Sequence, residues 1–306
     1  MQRRKFLTRL SMTSGSIVAA GMNEIVASPQ QKREKPIKVL QVTDSHSIDQ
    51  YNCRNNFEKL LQEIDTQVPN PDLILHTGDV IMDALVQDRQ AVKEQWQLWK
   101  KQIEGFSKSP YYAIGNHDIW GKGPKSDLQY GKKWAIDELG LSNRYYSFEK
   151  GPWKLIVLDS TQTIDGNWYD AYFDEEQVEW LKGELVESKD KHVMIISHIP
   201  ILSASIFHWG QASDGLWSIK SKLMHGDTAS IQAILRMHPQ VKLCISGHLH
   251  LLDQVKYDGI DYLGCGAVCA NWWRSDTFGQ TKCGFAEFDL HPDGSYDRVY
   301  HAYHWK

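Results

Sequence analysis

Short apolar runs recur along the chain at Ile37 to Val42, Leu73 to Leu75, Tyr111 to Ile114, Leu155 to Leu158, Val193 to Ile196 and Val241 to Ile245. Their brevity and several β-branched positions predict strands buried on both faces. Between them, apolar positions return at helical spacing over residues 54–67, 87–104, 127–139, 174–188 and 227–237. The fourth helix opens on Asp174, a good cap, with Gln177 three residues later. Trp96 and Trp99, three apart in the second helix, read as a core stripe. Alternating strands and helices predict helices packed on sheet faces.

The pattern changes twice. Residues 144–158, with Gly151-Pro152 at the centre, predict a hairpin. From 252 to 304 the chain reads as successive strands, interrupted by Tyr257-Asp258-Gly259 and His291-Pro292-Asp293-Gly294. Such Asp-Gly turns favour antiparallel pairing. The expected fold is therefore α/β, with two sheets of mixed direction inside outer helices.

At 306 residues, 42% hydrophobic and 24% charged, the chain can bury one large core, which places a single domain at 37–306 behind a polar linker at 29–36. The net charge is -4. Arg3, Arg4, Lys5 and Arg9 against Glu24 give the first 30 residues +3, so the remainder carries -7. An acidic body lacks the positive field of non-specific nucleic-acid binding, and nucleic acid is not the expected partner. No stretch approaches the roughly 18 apolar residues of a membrane span.

Residues 1–28 carry their own signal. Arg3-Arg4-Lys5-Phe6-Leu7 precedes a mildly apolar stretch at 11–22 and then Ile25-Val26-Ala27-Ser28. The order resembles a bacterial twin-arginine leader, which implies export to the periplasm or beyond of a chain already folded. A basic arm is the alternative. The cysteines Cys53, Cys244, Cys265, Cys269 and Cys283 permit up to two disulfides with a thiol left over. Cys265 and Cys269 lack the second close pair of a structural zinc site, so all five read as core residues or a disulfide.

Five polar clusters stand where apolar runs end: Asp44-Ser45-His46, Gly78-Asp79, Gly115-Asn116-His117-Asp118, His198 and Gly247-His248-Leu249-His250. Taken singly, each has a plain reading as a cap, a turn or a core histidine. Taken in order, at the carboxyl ends of strands, they predict one site assembled from distant segments. Asp, Asn and His without thiolate suit Mn, Fe or Zn, and more than four convergent donors call for two ions.

These residues resemble the calcineurin-like metallophosphoesterase superfamily, with its D-x-H, G-D, G-N-H-[DE], lone H and G-H-x-H in that order. The resemblance spans residues 44–250 and implies a four-layer α/β/β/α sandwich. It assigns Asp44, His46 and His250 to one metal, Asn116, His198 and His248 to a second, and Asp79 to a bridge between them. His117 is the non-ligand histidine that assists the phosphoryl or leaving group, with Asp118 as its hydrogen-bonding partner. The cofactors implied are two divalent or mixed-valence ions. The activity implied is hydrolysis of a small-molecule phosphomonoester, phosphodiester or pyrophosphate by a hydroxide shared between them. Purple acid phosphatases in the superfamily supply a tyrosine ligand; here His46 and Val80 occupy the matching positions, and no tyrosinate is expected.

Substrate choice should come from loops beside the metals. Residues 199–226 carry His208, Trp209 and Trp217, and residues 264–279 carry Asn271-Trp272-Trp273-Arg274. His208, Asn271, Trp272, Trp273 and Arg274 are the candidate substrate residues, with the tryptophans stacking on a base or sugar and Arg274 pairing with a second phosphate. Packing of Trp272 or Trp273 beneath the site is the alternative. A nuclease of the same superfamily would need a basic groove, and a non-catalytic scaffold would show lost ligands. A lactamase-like hydrolase would need His-x-His-x-Asp-His, which is absent.

Overall fold

The computed structural model describes residues 35–164 and 168–305. The leader expected over residues 1–28 lies outside the described residues. Strand Ile37–Val42 runs parallel to Leu73–His76, which runs parallel to Tyr111–Tyr112. On its other side Ile37–Val42 pairs antiparallel with Gly284–Leu290, and that strand with Tyr296–Ala302. The second sheet is ordered Asp253–Tyr257, Ile260–Gly264, Val241–Ser246, His192–Ile196, Trp153–Val157, Tyr146–Lys150, with parallel strands in the middle and antiparallel ones at both edges.

Alternating side chains sort themselves between layers, as the two-residue period of a strand requires. Val39, Leu73 and Leu75 face Leu155, Met194, Ile196, Leu243 and Ile245 across the space between the sheets. Leu40, Val42 and Ile74 point the other way, onto Phe57 and Leu60 of helix Cys53–Gln67 and Trp96 and Trp99 of helix Arg89–Ile103. Behind the second sheet, Ile156 and Ile195 meet Leu181, Leu185, Ile231 and Leu235 of helices Glu175–Glu187 and Thr228–Leu235. The result is the α/β/β/α sandwich that the resemblance implied.

Asp174 caps its helix, its carboxylate accepting from the Gln177 amide at 3.0 Å. Asp258 and Gly259 both have positive φ, 49° and 79°, as a tight hairpin turn requires. The helix expected over 127–139 is shorter, Lys133–Leu139. Gly131, with φ of 72°, exchanges both backbone hydrogen bonds with Trp120, which holds the preceding residues in turns. Two short hairpins were not foreseen, Thr161–Ile164 with Trp168–Ala171 and Gln211–Ser213 with Leu216–Ser218, while Thr277–Phe278 with Thr281–Lys282 falls inside the strand region expected from 252. All five cysteines are buried thiols, so the disulfide option is not taken. Among the described residues no helix is long and apolar enough to cross a membrane.

Candidate metal centre

The five clusters follow the carboxyl ends of parallel strands in both sheets, Ile37–Val42, Leu73–His76 and edge strand Tyr111–Tyr112 in one and His192–Ile196 and Val241–Ser246 in the other. Backbone hydrogen bonds lace them together: Asp44 N to Gly78 O, His46 N to Asp79 O, and Gly247 N to His198 O, at 3.0, 3.1 and 3.0 Å. Asp44, His46, Asp79, His248 and His250 all have φ between 41° and 69°. A left-handed conformation costs a non-glycine residue roughly 1–2 kcal/mol, so the surrounding structure forces these donors inward against their preference. Glycine beside the donors is a matter of space. A Cβ on Gly115 would lie 2.2 Å from Asp79 Oδ1, and one on Gly247 2.5 Å from Asp44 Oδ2.

The donor atoms converge. Asp79 Oδ2 lies 3.2 Å from His198 Nε2 and 3.6 Å from His46 Nε2, so one carboxylate stands between two groups. On one side His250 Nε2 is 3.2 Å from His46 Nε2 and 3.3 Å from Asp44 Oδ1. On the other, His198 Nε2 is 3.1 Å from Asn116 Oδ1 and 3.2 Å from His248 Nδ1. The far nitrogens are fixed by backbone carbonyls: His198 Nδ1 by Thr77, His248 Nε2 by Lys222 and His250 Nδ1 by Ala270. Such bonds set the tautomer that presents a lone pair to a metal. His46 departs from this pattern, since its Nδ1 is buried without a partner among the described residues.

Electrostatics fits the donor set to cations. Asp44 and His46 are wholly buried, and Asp79, Asn116 and His250 nearly so. Burial would raise the Asp79 carboxyl, yet His198 and His117 hold it well below its usual range. Burial would lower His198, yet the Asp79 carboxylate lifts it to about 9. His250 is raised in the same way, against burial, by Asp44. Two carboxylates sealed from water thus demand positive charge, which divalent ions held by Asp44, His46, His250 and Asp79, and by Asp79, Asn116, His198 and His248, would supply.

His117 stands half-buried at the mouth, its ring 4.7 Å from that of His46. Its amide donates to Asp79 Oδ1 at 2.8 Å, and its Nδ1 bonds the carbonyl of Met82 at 2.6 Å. Asp118 therefore does a different job from the one expected of it. Its carboxylate accepts from the amides of Val80, Ile81 and Gly115, at 2.8, 3.2 and 2.8 Å, and so clamps the two loops that carry Asp79 and Asn116. Burial and then Asp79 push its pKa up to about 7, while the amide donors pull the other way.

The candidate substrate residues separate. Trp273 is a correction: it is buried, and its Nε1 donates to the carbonyls of Ser45 and His46 at 2.9 and 3.2 Å, under the metal loop. Arg274 is exposed and turns to Tyr51, its guanidinium over that ring at 4.9 Å. Trp272 is half-buried with its ring 4.6 Å from His250 and 5.9 Å from His46. Asn271 is half-buried in the same loop, and His208 is exposed with its ring 6.3 Å from Phe278. Sequence reading missed Tyr169, whose ring lies 6.3 Å from His248, because it sits in an unforeseen hairpin. Cys269, set aside as a core or disulfide residue, has its Sγ within 4.8 Å of donor nitrogens of His46 and His250.

Candidate metal-ligand residues gathered at the strand ends of a double-sheet sandwich suit a hydrolase acting on phosphoric ester bonds. The chain belongs to the calcineurin-like phosphoesterase family, whose pattern matches residues 37–252. It is 26% identical over 271 residues, 85% of this chain and 90% of the relative, to a 3',5'-cyclic-nucleotide phosphodiesterase of Nostoc sp.. Over 272 residues, 86% of this chain and 88% of the relative, it is 24% identical to the 3',5'-cyclic adenosine monophosphate phosphodiesterase of Escherichia coli K12. Its fold is similar to that of a dimetal phosphatase from Danio rerio, with a TM-score of 0.62 at 14% identity over 84% of this chain and 94% of that one.

Proposed function

We propose that the chain hydrolyses small-molecule phosphodiesters, with 3',5'-cyclic nucleotides as the leading class. The observation that carries this reading is the donor set with Asp79 between His46 and His198, in a chain whose relatives over 85% and 86% of its length include cyclic-nucleotide phosphodiesterases. Two ions of Mn, Fe or Zn would polarise the phosphoryl oxygens and bring the pKa of water toward neutrality. The protein's own part is to hold that charge at fixed spacing and to manage the leaving oxygen. His117 is suited to the second task. Its Nδ1 proton is committed to the Met82 carbonyl, which leaves Nε2 to deliver a proton to the alkoxide as the P–O bond breaks. A cyclic diester would thereby open to a phosphomonoester, with water adding to phosphorus.

The test is a panel of 3',5'-cyclic AMP, a glycerophosphodiester and an aryl phosphomonoester on metal-loaded enzyme. We expect kcat/KM for the cyclic diester to exceed that for the monoester by at least about tenfold, or ~1.4 kcal/mol of transition-state binding. Faster turnover of the monoester would overturn the reading.

A further inference from the structure

Beside the first metal position a line of aromatic rings leads from the ligand His250 to solvent. Trp272 lies 4.6 Å from His250, Phe278 lies 5.6 Å from Trp272 and 5.7 Å from His250, and Trp209 stacks on Phe278 at 5.2 Å with 22° between planes. Exposure rises along the line, from half-buried Trp272 and Phe278 to Trp209 at 40%. We infer that Trp272, Phe278 and Trp209 form a stacking wall for the planar base of a nucleotide whose phosphate sits at the metals, a specificity device that rests on the phosphodiesterase reading of that site.

Both ends of the wall are built rather than draped. The loop that presents Trp272 holds three non-glycine residues at positive φ, Ala270, Trp272 and Trp273, at 43°, 47° and 64°. A bulky side chain is a rare occupant of that region, and such strain persists only where the surroundings impose it. Here they do so from the metal site itself. His250 Nδ1 bonds the Ala270 carbonyl, and the Trp273 indole is pinned under Ser45 and His46, so half-buried Trp272 is held between the rings of His250 and Phe278. The other end is anchored by Asp253, whose carboxylate accepts from the amides of Ala204 and Ser205, at 2.7 and 2.9 Å, ahead of the short 3-10 turn Ser205–His208 that leads into Trp209.

The chemistry of the wall selects its ligand. Indole and phenyl faces reward a π-surface, and stacking of one base on an aromatic side chain contributes on the order of tenfold or more in affinity. A glycerol ester offers no such face. A ribose phosphate without its base should therefore bind at the metals alone.

Isothermal titration of the metal-loaded full chain with 5'-AMP and with ribose 5-phosphate reads the wall without turnover. We expect 5'-AMP to bind the wild type at least about tenfold more tightly, and Trp209→Ala combined with Phe278→Leu to remove most of that advantage while leaving the ribose 5-phosphate Kd in place. Neither side chain is fully buried, and circular dichroism with bound-metal analysis checks that the variant is intact. Equal affinities for the two ligands in the wild type, or an advantage that survives in the double variant, overturn the wall. Preferential 5'-AMP binding without cleavage of any diester would sustain the wall and refute the phosphodiesterase reading instead.

Discussion

Asp79 has more to do than any other side chain in the centre. It faces His46 and His198 at once, accepts the His117 amide, and shifts the titration of His198 and Asp118. Its neighbour Asp118 holds the loops rather than the proton. Replacing Asp118 with Ala strands three backbone N–H groups in a sealed interior, and we expect it to cost about 1–3 kcal/mol or more of stability, measured by urea denaturation. A change within 0.5 kcal/mol would show that water or another group takes over those amides. His117→Ala should lower kcat by about 10²–10⁴ with bound metal unchanged in elemental analysis. That the candidate ligands would come together was legible because donor types at strand ends form an ordered pattern. The role of Asp118 was not, because adjacency in sequence says nothing about which of two neighbours a carboxylate faces. Trp272 and Trp273 make the same point, as consecutive residues with opposite fates decided by backbone strain that has no glycine to announce it.

Elements were readable in proportion to the strength of their periodicity. Strand Ile37–Val42 and helix Glu175–Glu187 emerge close to where patterning puts them, because each alternates or caps in a way that only one structure satisfies. The helix expected from residue 127 starts six residues late, since the pairing of Gly131 with Trp120 is a long-range contact that local spacing does not record. The hairpins at 161–171 and 211–218 are similarly invisible: three- to four-residue strands carry too few positions to show a period. The caps are separately testable. Asp174→Ala removes the acceptor of the Gln177 amide, and a loss of about 1 kcal/mol in denaturant midpoint analysis is expected. Trp273→Phe keeps the ring and deletes the indole donor beneath Ser45 and His46. Bound-metal titration should show affinity falling by about 10–100-fold, as for other groups that orient ligand residues.

For the whole molecule, the centre is a seam between two sheets, with Asp44, Asp79 and Asn116 from one side and His198, His248 and His250 from the other. Cations placed there would tie the halves together and neutralise buried carboxylates. Chelation with dipicolinate should accordingly abolish activity and lower the melting temperature, with both restored on adding Mn or Zn. An unchanged melting temperature at full metal loss would argue that the seam is held by packing alone. We further propose export through the twin-arginine leader at residues 1–28. Replacing Arg3 and Arg4 with Lys should retain the protein in the cytoplasm on fractionation, and unaltered export would reject that route. Whether two metals at this seam hydrolyse a cyclic phosphodiester is read from the steady-state rate of 3',5'-cyclic AMP hydrolysis by metal-loaded wild type and by the Asp79→Ala, Asn116→Ala double variant. The binuclear account predicts turnover to 5'- or 3'-AMP in the wild type and its loss in the variant. Turnover that survives both substitutions would contradict it.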